Sequence, residues 1–229
     1  MSAYKYQSDI REKYLDKLGE NLGPVYLSLL EETITLNAKW AEFKKLYGDS
    51  QERLDLLNRS ASFFFRLIED ILFEDIVLHI AKLTDKEETL GKKNLTIKRL
   101  SALISDNELA LEINGLIQIC ISNSDFTRDR RNRHSAHLDL QLAIENGAEP
   151  LEAITRKQIE TSIQSINNLL NKIEGHYLES ETYFQLITTG TAEDLVFELN
   201  YSKQHQDKRK NRILSGNYHP EDLEPMNKI

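Results

Sequence analysis

The longest periodic stretch of apolar residues lies between positions 51 and 83, and it constrains the fold more than any other feature. Apolar side chains recur there at three- and four-residue intervals over about eight turns, the spacing of one face of an α-helix. They are Leu54, Leu57, Ala61, Phe64, Ile68, Leu72, Ile76, Ile80 and Leu83. The polar run Asp49-Ser50-Gln51-Glu52 before them suits a helix start. We predict one long helix that forms the spine of a bundle. Phe63, Phe64 and Phe65 widen its apolar face towards neighbours on two sides or towards a second subunit.

Other segments have the same helical period. Helix starts are predicted after Gly23-Pro24, near Asn94-Leu95-Thr96, at Asp106-Asn107-Glu108, at the capping box of residues 155–158 and at Thr191. The first of these helices ends at Gly48 and carries Trp40 on its apolar face. Residues 85–93 are predicted to form an exposed loop, and residues 122–125 a break or cap. Since no stretch alternates polar and apolar residues as a strand would, the predicted fold is an all-α, up-and-down helical bundle with extra N- and C-terminal helices.

The length of 229 residues suits one large domain, or one domain with extensions. Residues 1–24 are charged and weakly periodic, and we predict an N-terminal arm or short helix there. Residues 25–180 form the predicted bundle. Residues 181–229 supply a C-terminal helix and, from Asn217 on, a loose tail, packed on the bundle or extending from it.

The chain is acidic, with a formal net charge of −8. This argues against a general nucleic-acid coat, because nonspecific binding rests on phosphate neutralisation by many Lys and Arg residues spread over the surface. Basic residues instead concentrate in two places, residues 128–139 and residues 203–212. For the second, two alternatives stay open: a solvated helix end, or an arm that contacts phosphate groups.

Several classes of protein are disfavoured by what the sequence lacks. No apolar run reaches the roughly 18 to 20 residues needed to span a bilayer, and Met1 to Tyr14 is polar, so we expect a cytoplasmic protein without membrane contact. The single cysteine, Cys120, excludes an internal disulfide and a cysteine-based zinc site, and its apolar neighbours predict a buried thiol. There is no glycine-rich phosphate loop, nucleophile elbow or His-Glu-x-x-His pair. We expect neither a metal nor a cofactor.

The densest charge cluster stands at residues 128–139, between segments that are predicted to be buried helices. It holds four arginines, two histidines and two aspartates within twelve residues. Charges near a core need partners or a ligand, because burying an isolated charge is costly. Salt bridges between helices would satisfy that need, and a bound polyanion would satisfy it too.

Arginine and histidine together also suffice for RNA cleavage without metal. Arginine binds a phosphodiester through a flat, permanently charged fork, and histidine exchanges protons near neutral pH. A histidine takes the proton of the ribose 2′-hydroxyl or protonates the leaving 5′-oxygen, while an arginine stabilises the charge that develops on phosphorus. The product carries a 2′,3′-cyclic phosphate, and DNA resists because it lacks the 2′-hydroxyl.

The segment Arg131-Asn132-Arg133-His134-Ser135-Ala136-His137-Leu138-Asp139 resembles the signature of the HEPN superfamily, an arginine followed by a polar residue and, several positions later, a histidine. The wider chain resembles the AbiU-type branch of HEPN proteins, which is associated with bacterial abortive infection. The stretches that carry this wider resemblance are Trp40-Ala41-Glu42-Phe43, Leu46-Tyr47-Gly48, Leu83-Thr84-Asp85, Asn94-Leu95-Thr96 and Ile173-Glu174-Gly175-His176-Tyr177. Because they cover most of the chain, they make the short motif considerably more specific.

The resemblance implies a helical bundle that dimerises, so that two motifs face each other in one metal-independent endoribonuclease site. It implies Arg131 and His137 as the catalytic pair, with Asn132 as the polar residue that orients or contacts the phosphate. The expected partners are RNA, a second copy of the chain and an antitoxin or other protein. The remaining candidates for support or RNA binding are Arg130, Arg133, His134 and Asp139.

Two of those supporting residues have open alternatives. His134 is either a second acid–base group or a surface residue. Asp139 accepts from an arginine, orients His137 or forms an exposed salt bridge.

Two functions therefore follow from the sequence. The first is a toxin or phage-defence endoribonuclease. The alternative is a catalytically inactive HEPN module that binds RNA or a partner protein such as a nucleotidyltransferase antitoxin. The acidic charge balance favours a protein partner over bare RNA.

Helical spacing adds a structural prediction about the motif. In one continuous α-helix Arg131 and His137 lie about 240° apart around the axis, so they do not share a face, whereas Arg130 or Arg133 shares a face with His137. Either a helix begins within the motif, or the arginine that serves a given histidine comes from the other subunit.

Overall fold

The structure is a computed structural model that describes residues 3–48, 50–132, 153–185 and 190–224. Seven α-helices lie in these ranges: α1 (Ala3–Tyr47), α2 (Gln51–Leu83), α3 (Leu100–Leu103), α4 (Asn107–Ser124), α5 (Phe126–Arg130), α6 (Arg156–Leu178) and α7 (Ala192–Leu214). The other described elements are two 3₁₀ helices, Ile97–Arg99 and Pro220–Leu223, and a hairpin of β1 (Glu88–Thr89) and β2 (Lys92–Lys93). The predicted all-α fold is confirmed.

Most helix starts follow the local capping chemistry that the sequence predicts. The Asp106 carboxylate accepts hydrogen bonds from the backbone N–H groups of Glu108 and Leu109 at 2.9 and 3.0 Å, and α4 begins there. Capping boxes at Thr155 and Thr191 begin α6 and α7. Such caps satisfy backbone donors that have no partner within the helix.

Helix α1 begins earlier than the sequence indicates. The residues predicted to form an N-terminal arm or short helix are helical from Ala3. The non-helical residue is Gly19, at φ 77° and ψ 173°, and Pro24 lies inside the helix. Glycine tolerates a positive φ because it has no Cβ atom. Leu18 and Leu22 are buried on either side of this kink. Burial in the tertiary structure therefore outweighs the weak periodicity of this segment.

A buried carboxylate ties the start of the chain to α6. Glu174 is 3% exposed and accepts hydrogen bonds from the hydroxyl groups of Tyr14 at 3.0 Å, Tyr26 at 3.1 Å, Ser180 at 3.2 Å and Thr182 at 2.7 Å. Burial and the adjacent carboxylate raise the pKa of Tyr14 to about 12, so its hydroxyl keeps the proton that it donates. Four hydroxyl donors thus offset the cost of burying one charge.

The chain divides into two compact units. The first combines Met1–Ala41 with Leu72–Leu186, and the second combines Glu42–Ile71 with Ile187–Ile229. In the first unit α4 packs against α6 through side chains such as Ile113, Ile117 and Leu170, which are at most 2% exposed. These units do not follow the boundaries predicted at residues 24/25 and 180/181, because α1 and α2 each contribute one part to either unit. Those boundaries stay a prediction.

Helix α2 has the predicted extent but not the predicted face. Its backbone is non-helical at Ala61, with φ −161° and ψ 71°. Beyond this interruption Phe65 is buried, while Phe64 is 53% exposed and Phe63 is 74% exposed. The buried face therefore does not continue through Ala61 and Phe64, because a break in the helix changes which residues continue it. The predicted contact of these phenylalanines with a second subunit stays a prediction.

Part of the predicted loose tail, Pro220–Leu223, is folded against α7. The 3₁₀ helix Pro220–Leu223 places Asp222, which is 5% exposed, against the last turns of α7. Arg212 Nε donates to Asp222 Oδ2 at 2.8 Å, and Arg209 Nε donates to the Asp222 carbonyl oxygen at 2.8 Å. Two arginines of the basic stretch thus hold this turn in place.

The loop after α2 is exposed, as predicted, and contains a small hairpin that the sequence analysis missed. Its turn residues Leu90 and Gly91 have φ values of 52° and 76°. Two successive positive φ angles are typical of the tight turn that joins two antiparallel strands.

Candidate active site

The predicted motif begins where the helical backbone changes its form. Helix α5 ends at Arg130, and Arg131 and Asn132 continue in a π-helical turn. Such turns are often found at functional sites. The spacing predicts either that a helix begins within the motif or that the arginine comes from the other subunit. Both alternatives stay predictions, since His137 lies outside the described residues.

A buried polar network fixes the approach of this segment to the end of α2. Arg128 donates to the Thr84 carbonyl oxygen at 2.5 Å, to Thr84 Oγ1 at 3.0 Å and to the Ala81 carbonyl oxygen at 3.4 Å. Ser124 Oγ donates to Thr84 Oγ1 at 3.1 Å, and both residues are fully buried. The last carbonyl groups of a helix have no partner within it, and a cation placed there also interacts favourably with the helix dipole. Arg128 therefore caps α2 and aligns α5 with it.

Arg131 forms a two-point ion pair with Asp85, which lies just after α2. Its Nη1 atom is 3.0 Å from Asp85 Oδ1, and its Nη2 atom is 2.9 Å from Asp85 Oδ2. The Asp85 side chain is 15% exposed, and Arg128 Nη1 lies 3.5 Å from its Oδ1 atom. A bidentate pair fixes the plane of the guanidinium group as well as its position. It uses two of the five N–H donors of Arg131 and leaves the others for a ligand.

Arg130 points to a different partner. Its Nε atom donates to Glu74 Oε1 at 2.6 Å, and its guanidinium carbon lies 5.3 Å from the centre of the Phe73 ring. These contacts anchor α5 to the side of α2. Neighbouring arginines of the motif are thus held by two different carboxylates.

A cavity of about 310 Å³ lies beside the ion pair of Arg131 and Asp85. Four basic side chains and one acidic side chain contribute to its walls, and Asn132 is exposed at its edge. The lining residues are Asp85, Lys86, Thr89, Lys98, Ile121, Arg128, Arg131 and Asn132. The excess of positive charge suits an anionic ligand such as a phosphate group.

Comparison with known proteins gives one match. The family model described as AbiU2, of the HEPN_AbiU2 type, matches residues 19–197. The chain belongs to the AbiU2 family of HEPN proteins. No curated protein and no solved structure matches it.

The AbiU2 match encloses the site and most of the described fold. It begins at Gly19, where α1 is kinked, and ends at Phe197, within the first turns of α7. Asp85, Arg131 and the cavity therefore all lie inside the family region. Residues 198–229, which include the basic stretch of α7, lie beyond it.

The structure describes three of the residues predicted for the AbiU2 site. Arg131 and Asn132 line the same cavity, whereas Arg130 is paired with Glu74 and is not among the lining residues. The other four, Arg133, His134, His137 and Asp139, lie outside the described residues. The assignment of Arg131 and His137 as a catalytic pair stays a prediction.

Sequence reasoning missed the residues that hold this AbiU2 site in place. Asp85 follows the buried end of α2 directly, and Lys86 and Lys98 enter the cavity walls from the hairpin loop and the first 3₁₀ helix. The signal for Asp85 was its place in Leu83-Thr84-Asp85, a stretch noted only for the family resemblance. A carboxylate at the end of a buried helix is a natural partner for an arginine, but the sequence does not say which arginine reaches it.

A second charged cluster in the same unit is arranged differently. His79 is 6% exposed, with its Nε2 atom 2.8 Å from Glu32 Oε2 and its Nδ1 atom 3.4 Å from Lys39 Nζ. Lys39 Nζ in turn lies 2.6 Å from Asp75 Oδ2. Burial, followed by the charge of Lys39, lowers the pKa of His79 and outweighs the two carboxylates. With Lys39 beside Nδ1 and Glu32 beside Nε2, His79 is a buried packing residue whose pKa is lowered.

Among the described residues, no group of three or more His, Cys, Asp or Glu side chains is placed to hold a metal ion. None of the helices in the described ranges is long and apolar enough to cross a membrane.

Proposed function

We propose that this AbiU2-type HEPN protein is a metal-independent endoribonuclease of a toxin or phage-defence system. The observation that carries the proposal is the Arg131 guanidinium group, held by Asp85 at the wall of a cavity with a net positive lining. Because the Arg131 side chain is already fixed by Asp85, it binds a phosphodiester with little further loss of conformational freedom. The neighbouring Lys86, Lys98 and Arg128 add positive charge for the phosphates on either side.

In the proposed reaction the ribose supplies the nucleophile. A histidine of the motif, His137, removes the proton from the 2′-hydroxyl, and the 2′-oxygen forms a bond to phosphorus. The bond from phosphorus to the 5′-oxygen breaks, and that oxygen takes up a proton from a second acid, for which His134 is the candidate. Arg131 stabilises the negative charge on the phosphoryl oxygens, and Asn132 positions them. The products are a 2′,3′-cyclic phosphate and a free 5′-hydroxyl group.

The test uses total cellular RNA, excess EDTA and analysis of the new RNA ends. We expect the wild-type protein to produce 2′,3′-cyclic phosphate ends in EDTA. Arg131→Ala and His137→Ala should each lower the cleavage rate by at least about 100-fold, the loss typical of a removed charge-stabilising or proton-transferring group. His176→Ala is the matched control, because His176 is a half-exposed histidine of α6. Full cleavage by both motif variants, or cleavage that requires added metal, would contradict the proposal.

The proposed active form is a homodimer with a composite site. An apolar surface on α2 supports it: Phe63, Phe64, Leu67 and Ile71 are 74%, 53%, 45% and 53% exposed. Three of them recur every four residues and so share one face of the helix. Exposed apolar stripes of this kind are costly in water and mark contact surfaces. A second copy of the chain can cover this stripe with its own.

Mixed dimers test whether both subunits build the site. A dimer of one Arg131→Ala subunit and one His137→Ala subunit retains one intact pair if the arginine and histidine come from different subunits. We expect an equal mixture of the two inactive variants, after subunit exchange, to regain about a quarter of the wild-type activity. Phe63→Asp with Leu67→Asp should abolish both the dimer, measured by light scattering, and the regained activity. Continued inactivity of exchanged dimers would exclude the composite site.

The second candidate is a non-catalytic module that binds a partner protein, and the net charge of −8 favours it. A partner would then cover the apolar stripe of α2. Stable binding of a candidate antitoxin, together with intact RNA in every cleavage assay, would favour this function over the nuclease.

A further inference from the structure

Helix α7 carries a row of exposed aromatic and basic side chains that starts at the end of the family match, at Phe197, and continues beyond it. Phe197, Tyr201, His205 and Lys208 follow at steps of four, four and three residues. On an α-helix these positions fall within an arc of about 80° around the helix axis and extend about 17 Å along it. We call this row the α7 stripe.

The α7 stripe faces solvent within its own unit. Phe197 and Tyr201 are 67% and 64% exposed, and His205 and Lys208 are exposed as well. Four half-buried residues of the helix, Val196, Leu199, Lys203 and Gln206, lie on the other side of it. The half-buried Arg212 lies about 60° around the axis from Phe197 and is held by Asp222. Most of the surface of both rings is therefore open to solvent, although one side of Phe197 lines a cavity together with Leu56 and Arg59 of α2.

The charge around the stripe has the sign that nucleic acid requires. Residues 203–212 contain five basic residues and one acidic residue, a local net charge of +4 in a chain whose net charge is −8. Arg209 and Arg212 hold the C-terminal turn, whereas Lys208 and Lys210 are exposed. One turn before Phe197, Glu193 is paired with Arg53, and Asp194 accepts from the backbone N–H of Thr191 in the cap of α7, so both carboxylates already have partners. Further along the helix, Glu198 and Asp207 lie about 100° and 80° around the axis from Phe197.

We infer that the α7 stripe binds single-stranded RNA, with bases stacked on Phe197 and Tyr201 and the phosphate backbone along His205 and Lys208. Aromatic rings beside cations are the usual platform for single strands, because every base has a face to stack and every nucleotide has a phosphate. Apolar ring surface exposed to water is unfavourable, and a stacked base would cover it. The inference rests on the proposed function and deepens it, since it supplies a second surface, in addition to the cavity at Arg131, that holds the RNA.

Binding is measured by fluorescence anisotropy, with a short labelled single-stranded RNA of mixed sequence and full-length protein. His137→Ala serves as the parent, so that cleavage does not destroy the probe. Tyr201→Ala should weaken binding roughly 10-fold, the effect of one lost stacking platform. Tyr183→Ala is the matched control, because Tyr183 is 70% exposed and belongs to the other compact unit, and it should leave binding unchanged.

The salt dependence tests the phosphate contact separately. Lys208→Gln should reduce the slope of log affinity against log salt by about 0.7, the value for one phosphate on a single strand. Lys210→Gln, on the other side of α7, should not change it. Duplex RNA should compete poorly, since its base faces are hidden.

Three results would overturn the inference: no measurable RNA binding by the parent, equal affinities of Tyr201→Ala and Tyr183→Ala, or duplex RNA that competes as well as the single strand. The outcome is separable from that of the proposed function. If the wild-type protein cleaves RNA while the stripe variants bind and cleave like it, the inference fails and the nuclease stands. If nothing cleaves RNA but the stripe variants lose binding, the nuclease fails and the stripe stands.

Discussion

The arginines of α5 and the basic residues of α7 carry the same charge, but their side chains are fixed to different degrees. Arg128, Arg130 and Arg131 are each fixed by carbonyl groups or carboxylates at the end or side of α2. On α7, two arginines hold a turn, and Lys208 and Lys210 point to solvent. The first arrangement pre-sets a geometry, as chemistry at one phosphorus atom requires. The second leaves side chains free to adapt, as sequence-tolerant binding requires.

The largest expected effect distinguishes the Asp85 carboxylate, which holds Arg131, from the Asp222 carboxylate, which holds Arg212. Asp85→Asn keeps the size of the side chain and removes its charge, so Arg131 loses its fixed plane. We expect RNA cleavage to slow about 100-fold, the loss that a misplaced catalytic group can cause. Asp222→Asn weakens the equivalent pair with Arg212 and should leave cleavage unchanged. Equal rates for the two variants would mean that the Arg131–Asp85 pair does not position the site.

The next effect concerns stability. Arg128→Met removes the donor to three acceptors at the end of α2, and should lower the free energy of unfolding by about 2 kcal/mol, because buried acceptors are left without a partner. Lys210→Met on α7 is the control and should not change it. Urea unfolding measures the free energy of unfolding of both variants. If Arg128→Met were as stable as the wild type, the network at Thr84 would not anchor α5.

Two histidines extend the comparison to pH. The pKa of His79 is lowered from the ordinary 6.5, so the unfolded chain takes up a proton more readily than the folded protein. Neutral His79 therefore contributes fully to the free energy of unfolding above pH 6.5. As the pH falls from 6.5 towards the folded-state pKa, this free energy decreases by no more than about 1.4 kcal/mol per pH unit. The measurement is the free energy of unfolding of the wild type, His79→Gln and His205→Gln at several pH values. His205→Gln, on exposed α7, should follow the wild type, and a parallel His79→Gln curve would exclude the buried histidine as the cause.

The smallest effect compares thiols. Cys120 is 1% exposed, and burial raises its pKa to about 11. A thiol reagent at neutral pH should leave it intact until the protein unfolds, because the reactive thiolate is scarce and covered. Tyr201→Cys should introduce one thiol that reacts at once. Rapid labelling of Cys120 in the folded wild type would mean that α4 opens easily.

Much of the fold could be predicted from the sequence because it rests on local chemistry. The caps at Asp106, Thr155 and Thr191 begin helices where predicted, and Trp40 and Cys120 are buried. The hairpin at Leu90 and Gly91 was missed because its strands are too short to produce an alternating pattern. A helix start was predicted after Gly23-Pro24, because a proline is a strong local signal for a helix boundary, whereas the helix begins at Ala3 and its interruption lies at Gly19.

The site divides along the same line. The chain by itself determined the residue types: an arginine with a polar neighbour, a histidine further on, and a second basic stretch near the C-terminus. Only the tertiary structure decided that Asp85 holds Arg131 while Glu74 holds Arg130, and that Phe197 and Tyr201 face solvent beside Lys208. Helical propensity and capping act over a few neighbouring residues and can be read in order along the chain. The partner of a charged side chain depends on which helices pack together and where each is interrupted, and that is settled by the whole core at once.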